Sequence, residues 1–273
     1  MIEDLGMPKR YGNSVSRLRA LGVFATLVVL VAIAMPVTSW AQDTTNLLHG
    51  INGSWERYPT RASGLGSEAR GGPTPPEAIP DPPLKPEYLG DWRALRAEIQ
   101  ALTEQGRPPA NNYSSCIPDG MPAMMQAIFP MEVLETPGQV TVIQEAYNQV
   151  RRIHLDDELM SPEDAEPRFA GHSAGRWEGD TLVVETVGVK DYVVFRNVPH
   201  SNQMRVTERI ALTDDDQFME NRVTVTDSEY LTGPWEWTWM YRRWPGYKLQ
   251  EYICEDNRYS EASELGYQRL PID

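Results

Sequence analysis

The sequence predicts a mainly β protein: an antiparallel β-barrel, lipocalin-like or a similar closed or curved sheet, with one packed N-terminal helix and a Pro-rich extension. Three observations carry this. Runs rich in β-branched and aromatic residues recur at 140–145, 181–186, 205–212, 218–227, 235–243 and 248–254, with weaker candidates at 150–154 and 193–197. Turn formers punctuate them, at Gly138, Gly179-Asp180, Asp214-Asp215-Asp216, Gly233-Pro234 and Pro245-Gly246. No helical spacing intervenes between these runs, so the strands follow one another as a meander that closes into a barrel or sandwich over residues 133–254.

Taken in order, residues 1–41 read as a secretory signal. Arg10, Arg17 and Arg19 form a basic start, Leu21 to Met35 an apolar stretch, and Ser39-Trp40-Ala41 a small-x-small cleavage site. The alternative is a retained N-terminal anchor, the one route by which this chain would meet a membrane. Residues 42–88 form an extension, rich in Pro and Gly from 59 to 86, a composition that disfavours both helix and sheet. A single barrel domain then spans 89–273. It opens with a helix over 89–105, where Trp92, Leu95, Ile99 and Leu102 recur at helical spacing and Gly106 with Pro108-Pro109 supplies the stop. A Met-rich irregular segment follows, with Met121, Met124, Met125 and Met131, suited to filling a core gap or walling a pocket.

The formal net charge of −14 lacks the clustered basic face that a nucleic-acid partner requires. The chain has two cysteines, Cys116 and Cys254, both beyond the signal. In an oxidising compartment, periplasmic or extracellular, they predict one disulfide.

Two of the four histidines stand in matching settings, Gly171-His172-Ser173 and Pro199-His200-Ser201. Histidine is the side chain best suited to proton transfer near neutral pH, and these segments read as loops at strand ends. Residues 171–175 also match G-x-S-x-G. That motif needs a helix directly after the serine, however, and here Gly175 leads through Trp177-Glu178-Gly179-Asp180 into a β-branched run, which argues against a hydrolase elbow. Strand alternation places Trp235, Trp237, Trp239 and Tyr241 on one face. It also requires at least one of Glu208 and Arg209 to face inward, where a charge needs a partner.

The run from Gly171 to Thr186, containing Trp177-Glu178-Gly179-Asp180-Thr181, together with Pro199-His200-Ser201, Glu208-Arg209, Pro234-Trp235 and the segment 251–255, resembles an uncharacterised family of exported bacterial proteins. The Cys-x-Pro-x-Gly-x-Pro element of Cys116, Pro118, Gly120 and Pro122 is similar to that family too. The resemblance covers about residues 84–258. It implies export and a shared β-rich fold, and no reaction.

Three functions fit this reading. The first is a cofactor-independent acid/base enzyme, a lyase, dehydratase or isomerase, acting on a small apolar or aromatic molecule in the barrel. His172 or His200 moves the proton, Asp180 or Glu208 orients the imidazole, and Arg176 or Arg209 holds an oxygen, with Ser173, Ser201, Trp235 and Trp237 as further lining. The second is a carrier with the same pocket and no chemistry; the third is a structural envelope protein. No H-x-H, H-x-x-x-H or H-E-x-x-H spacing occurs, so the pattern assigns no metal.

Overall fold

A computed structural model describes residues 49–59, 72–109 and 115–254 of the chain. The expected signal segment and the Pro/Gly-rich residues 60–71 lie outside the described residues. Nine strands close into a barrel in sequence order: β1 (Gly53–Tyr58), β2 (Met131–Thr136), β3 (Gln139–Gln144), β4 (Gln149–Leu155), β5 (His172–Glu178), β6 (Thr181–Val187), β7 (Arg205–Leu212), β8 (Phe218–Thr226) and β9 (Trp235–Arg243). Strands that alternate in direction cannot close a ring of odd number, so at least one neighbouring pair must run parallel. That pair is β4 and β5, and every other pair, including β1 with β9, is antiparallel. Parallel neighbours need a long connection; residues 156–171 provide it. The expectation of a wholly antiparallel barrel is corrected at this one seam.

Alternation selects the interior. Trp235, Trp237, Trp239 and Tyr241 point inward as expected and meet Trp55, Met131, Val142, Leu182 and Val184 in one continuous core. Phe195 sits against Trp235, Trp237 and Trp239, with ring centroids 5.7, 5.3 and 5.8 Å apart.

Several local expectations are corrected. Residues 248–254 form no strand, because β9 already has β8 on one edge and β1 on the other. Residues 193–197 form no strand either: Arg196 and Asn197 have φ of 53° and 61°, a left-handed turn. β1 falls within the stretch read as extension, yet it closes the barrel. His172 and Ser173, read as loop, are the first two residues of β5.

One helix, α1 (Pro86–Glu104), precedes β2, with Pro86 at its first turn. It meets the rest of the fold near its start. Trp92 is buried and donates from its indole nitrogen to the Arg196 carbonyl at 3.1 Å, and Tyr88 lies 4.7 Å from Tyr230. Leu95, on the expected apolar stripe, is 43% exposed. No helix among the described residues is long and apolar enough to cross a membrane. Cys116 and Cys254 form the expected disulfide, with Cα atoms 5.7 Å apart.

Candidate functional site

The β4–β5 ladder is short: only Ile153, His154 and Leu155 pair with Ser173, Ala174 and Gly175. Gly171 ends it. Its φ of +63° turns the preceding chain away from β4, so that Arg168 bridges Val189 instead. A Cβ at Gly171 would stand 2.6 Å from the Val187 carbonyl oxygen, which leaves room only for glycine. Where the strands part, a cleft of about 620 Å³ opens. Val150, Arg152 and His154 enter it from the outer face of β4, and the connection to β5 adds Asp157, Glu158, Leu159, Met160, Arg168 and Phe169 to its lining. Gln149 and Ser173, two inward-facing residues, form its boundary with the barrel interior.

Behind that boundary lies a polar layer that the alternation of β4 creates. Gln149, Arg151 and Ile153 face in, while Val150, Arg152 and His154 face out. Arg151 is enclosed, and its guanidinium reaches three strands: Nε donates to Ser173 Oγ at 3.1 Å, and Nη2 to Thr186 Oγ1 at 2.9 Å and to Glu208 Oε2 at 2.5 Å. Glu208 takes a further hydrogen bond on Oε1 from Asn221 Nδ2 at 2.7 Å. This is the inward charge anticipated at Glu208-Arg209; Arg209 points out and pairs with Glu178 at 2.9 Å. Tyr241, in the same layer, donates to the Met125 carbonyl at 2.5 Å, and burial pushes its phenol well above the usual range.

Five buried polar atoms of this layer have no hydrogen-bond partner among the described residues: Nη1 of Arg151, Nε2 of Gln144, Nε1 of Trp237, Nε1 of Trp239 and Oδ1 of Asn221. Asn221 and Trp239 are cross-strand partners, and Gln149, hydrogen-bonded to Gln144 at 2.6 Å, stands two residues before Arg151. Each such atom costs about 1–3 kcal/mol when left unpaired. Five of them reach the scale of a domain's whole net stability, about 5–15 kcal/mol.

The expected residues fall into separate places. His172 and Ser173 line the cleft. His172 Nε2 lies 2.8 Å from the Glu166 carbonyl oxygen, so it carries the proton in the neutral ring and Nδ1 remains the basic nitrogen. His200 instead lines a small apolar pocket with Trp235, Phe195 and Met204. Its Nε2 meets the Lys190 and Val193 carbonyls at 3.2 and 3.0 Å, and its Nδ1 meets the Ser201 carbonyl at 3.0 Å. Both nitrogens face backbone oxygens, which suits fixing a loop. Ser201 Oγ donates to Asp227 at 2.9 Å, and Asp227 also accepts from the Ser201 and Glu229 amides, at 2.6 and 2.9 Å. Arg176 and Asp180 are exposed near the β5–β6 turn, Arg176 pairing with Glu178 at 2.8 Å. Trp237 is interior core and Trp235 donates to the Pro80 carbonyl at 3.0 Å.

Sequence reasoning missed Arg151, Asn221 and Asp227. For Arg151 a signal existed: in Arg151-Arg152, as in Glu208-Arg209, strand alternation forces one charge inward, and the two inward charges have opposite sign. The described residues contain no group of three or more His, Cys, Asp or Glu able to hold a metal ion. Compared with protein-family models and with curated proteins, the chain matches none.

Proposed function

We propose that the protein is an exported carrier of a small apolar or aromatic molecule, held in the cleft between β4 and β5. The observation that carries the reading is the cleft itself. Its volume of about 620 Å³ falls in the range of ligand sites, about 300–1,000 Å³. Val150, Leu159, Met160 and Phe169 supply apolar and aromatic contact beside the charged Arg152, Asp157, Glu158 and Arg168, and Val150 and Met160 are 41% and 49% exposed. Export is supported by the basic, apolar and small-residue succession of residues 1–41.

Calorimetric titration with 2-ethylnaphthalene tests this reading. Saturable one-to-one binding is expected, weakened tenfold or more by Val150→Lys, which sets a charge on the apolar wall without touching the core. Absence of saturable binding, or affinity unchanged by Val150→Lys, refutes it.

One observation favours a second reading, acid/base catalysis in the same cleft: the basic Nδ1 of His172 belongs to a ring that lines it. A mass-balanced product formed by wild type and lost in His172→Ala distinguishes the enzyme from the carrier.

A further inference from the structure

We propose that the ligand of the β4–β5 cleft carries a neutral carbonyl group, and that its oxygen passes between Gln149 and Ser173 to accept a hydrogen bond from Arg151 Nη1. The inference rests on the cleft being a binding site and specifies what it binds. Three observations lead there.

The cleft and the polar layer share a boundary. Ser173 lines the cleft and accepts from Arg151 Nε at 3.1 Å, so the guanidinium lies one hydrogen bond behind the cleft wall. β4 pairs with β5 only from Ile153 onward, so no β5 ladder hydrogen bonds cross the wall along Gln149 to Arg152.

The unpartnered atoms define the chemistry of the guest. Four are donors, on Arg151, Gln144, Trp237 and Trp239, and one is an acceptor, on Asn221. Their own side chains are nine-tenths or more buried. A guest that completes this set brings acceptor lone pairs, and a carbonyl oxygen has two. Arg151 and Gln144 are each hydrogen-bonded to a cleft-lining residue, Ser173 and Gln149, and on Arg151 the free nitrogen is Nη1, since Nε and Nη2 are already spent on Ser173, Thr186 and Glu208.

Charge then separates a ketone or aldehyde from a carboxylate. Glu208 already neutralises Arg151 at 2.5 Å inside the barrel. A second carboxylate beside it faces like-charge repulsion at low dielectric, while a neutral carbonyl takes the donor without adding charge. The apolar residues of the cleft remain for the ligand's body.

Three probes of matched shape test the proposal by calorimetry: 2-acetylnaphthalene, 2-ethylnaphthalene and 2-naphthoate. The ketone is expected to bind at least tenfold tighter than the hydrocarbon, the scale of a hydrogen bond from a charged donor, and tighter than the carboxylate. In Arg151→Met/Glu208→Gln, which removes both charges together and leaves neither stranded, the ketone preference should vanish while hydrocarbon binding persists. The isotope-edited infrared band of the carbonyl-labelled ketone, read on the wild-type protein, should fall below its frequency in hexane; this decides the matter if the double variant does not fold. Equal affinity for ketone and hydrocarbon, or a band at the hexane position, overturns the carbonyl proposal and leaves the cleft reading standing. Saturable binding of none of the three probes overturns both.

Discussion

Arg151 and Glu208 stand among strands whose other inward residues are mostly apolar, and the cost of placing them there sets the first expectation. Removing one partner leaves an uncompensated charge in the core, so Glu208→Gln or Arg151→Met alone should lower unfolding free energy by about 3–5 kcal/mol in urea denaturation. The double variant should recover much of that loss; equal losses that simply add would refute the coupling. Tyr247 gives a second residue-level expectation. Burial and its hydrogen bond to Glu145 push its phenol up to about 12. The folded state therefore holds the proton more tightly than the unfolded chain, whose phenol titrates near 10. Its contribution is fully present below about pH 10 and declines as pH rises through 12. Absorbance at the tyrosinate band should show Tyr247 ionising above the exposed tyrosines, and Tyr247→Phe should flatten the alkaline loss of stability. At this scale the sequence was partly legible. Adjacent charges in a strand announce that one is buried, but which of Arg151 and Arg152 that is depends on the register with β3, a tertiary fact.

Gly171 is the element-scale counterpart, since it decides where β5 joins the barrel and hence where the cleft lies. Gly171→Ala meets both a left-handed φ and a backbone oxygen 2.6 Å from the new methyl. It should cost about 2 kcal/mol or more, read as a lower urea midpoint. It should also reshape the cleft, so probe affinity falls more than in Gly138→Ala, where a Cβ meets nothing and only the φ of +78° is strained. Equal effects of the two substitutions would show that the close approach at Gly171 is unimportant. Strands such as β7 and β9 were readable end to end because β-branched and aromatic content, alternation and flanking turns agree. The run at 248–254 has similar local content and fails as a strand because the closed barrel offers it no free edge. β1 was missed for the converse reason: a short segment beside a Pro/Gly-rich stretch becomes a strand through long-range pairing with β2 and β9, which local pattern does not report.

Across the whole molecule, closure of an odd-numbered barrel and a single disulfide converge on the same region. The parallel seam that odd closure demands falls between β4 and β5, and the cleft opens along it. The Cys116–Cys254 bridge closes a separation of 138 residues, spanning β2 to β9. It holds the chain after β9 beside the cleft: Tyr252 packs on Tyr147 at 5.0 Å and on Phe129 at 5.4 Å, and its carbonyl accepts from Asn148 Nδ2 at 2.9 Å. Tyr147 in turn lines the cleft. Loss of the bridge in Cys116→Ser/Cys254→Ser should therefore act twice. Unfolding free energy should fall by about 4–5 kcal/mol if the chain-entropy account holds for so long a loop. Affinity for 2-ethylnaphthalene should fall as well, under conditions where circular dichroism shows the barrel intact, because Tyr252 no longer holds Tyr147 against the cleft. A double variant that loses stability but keeps full affinity would assign the bridge to the barrel alone and detach it from the site.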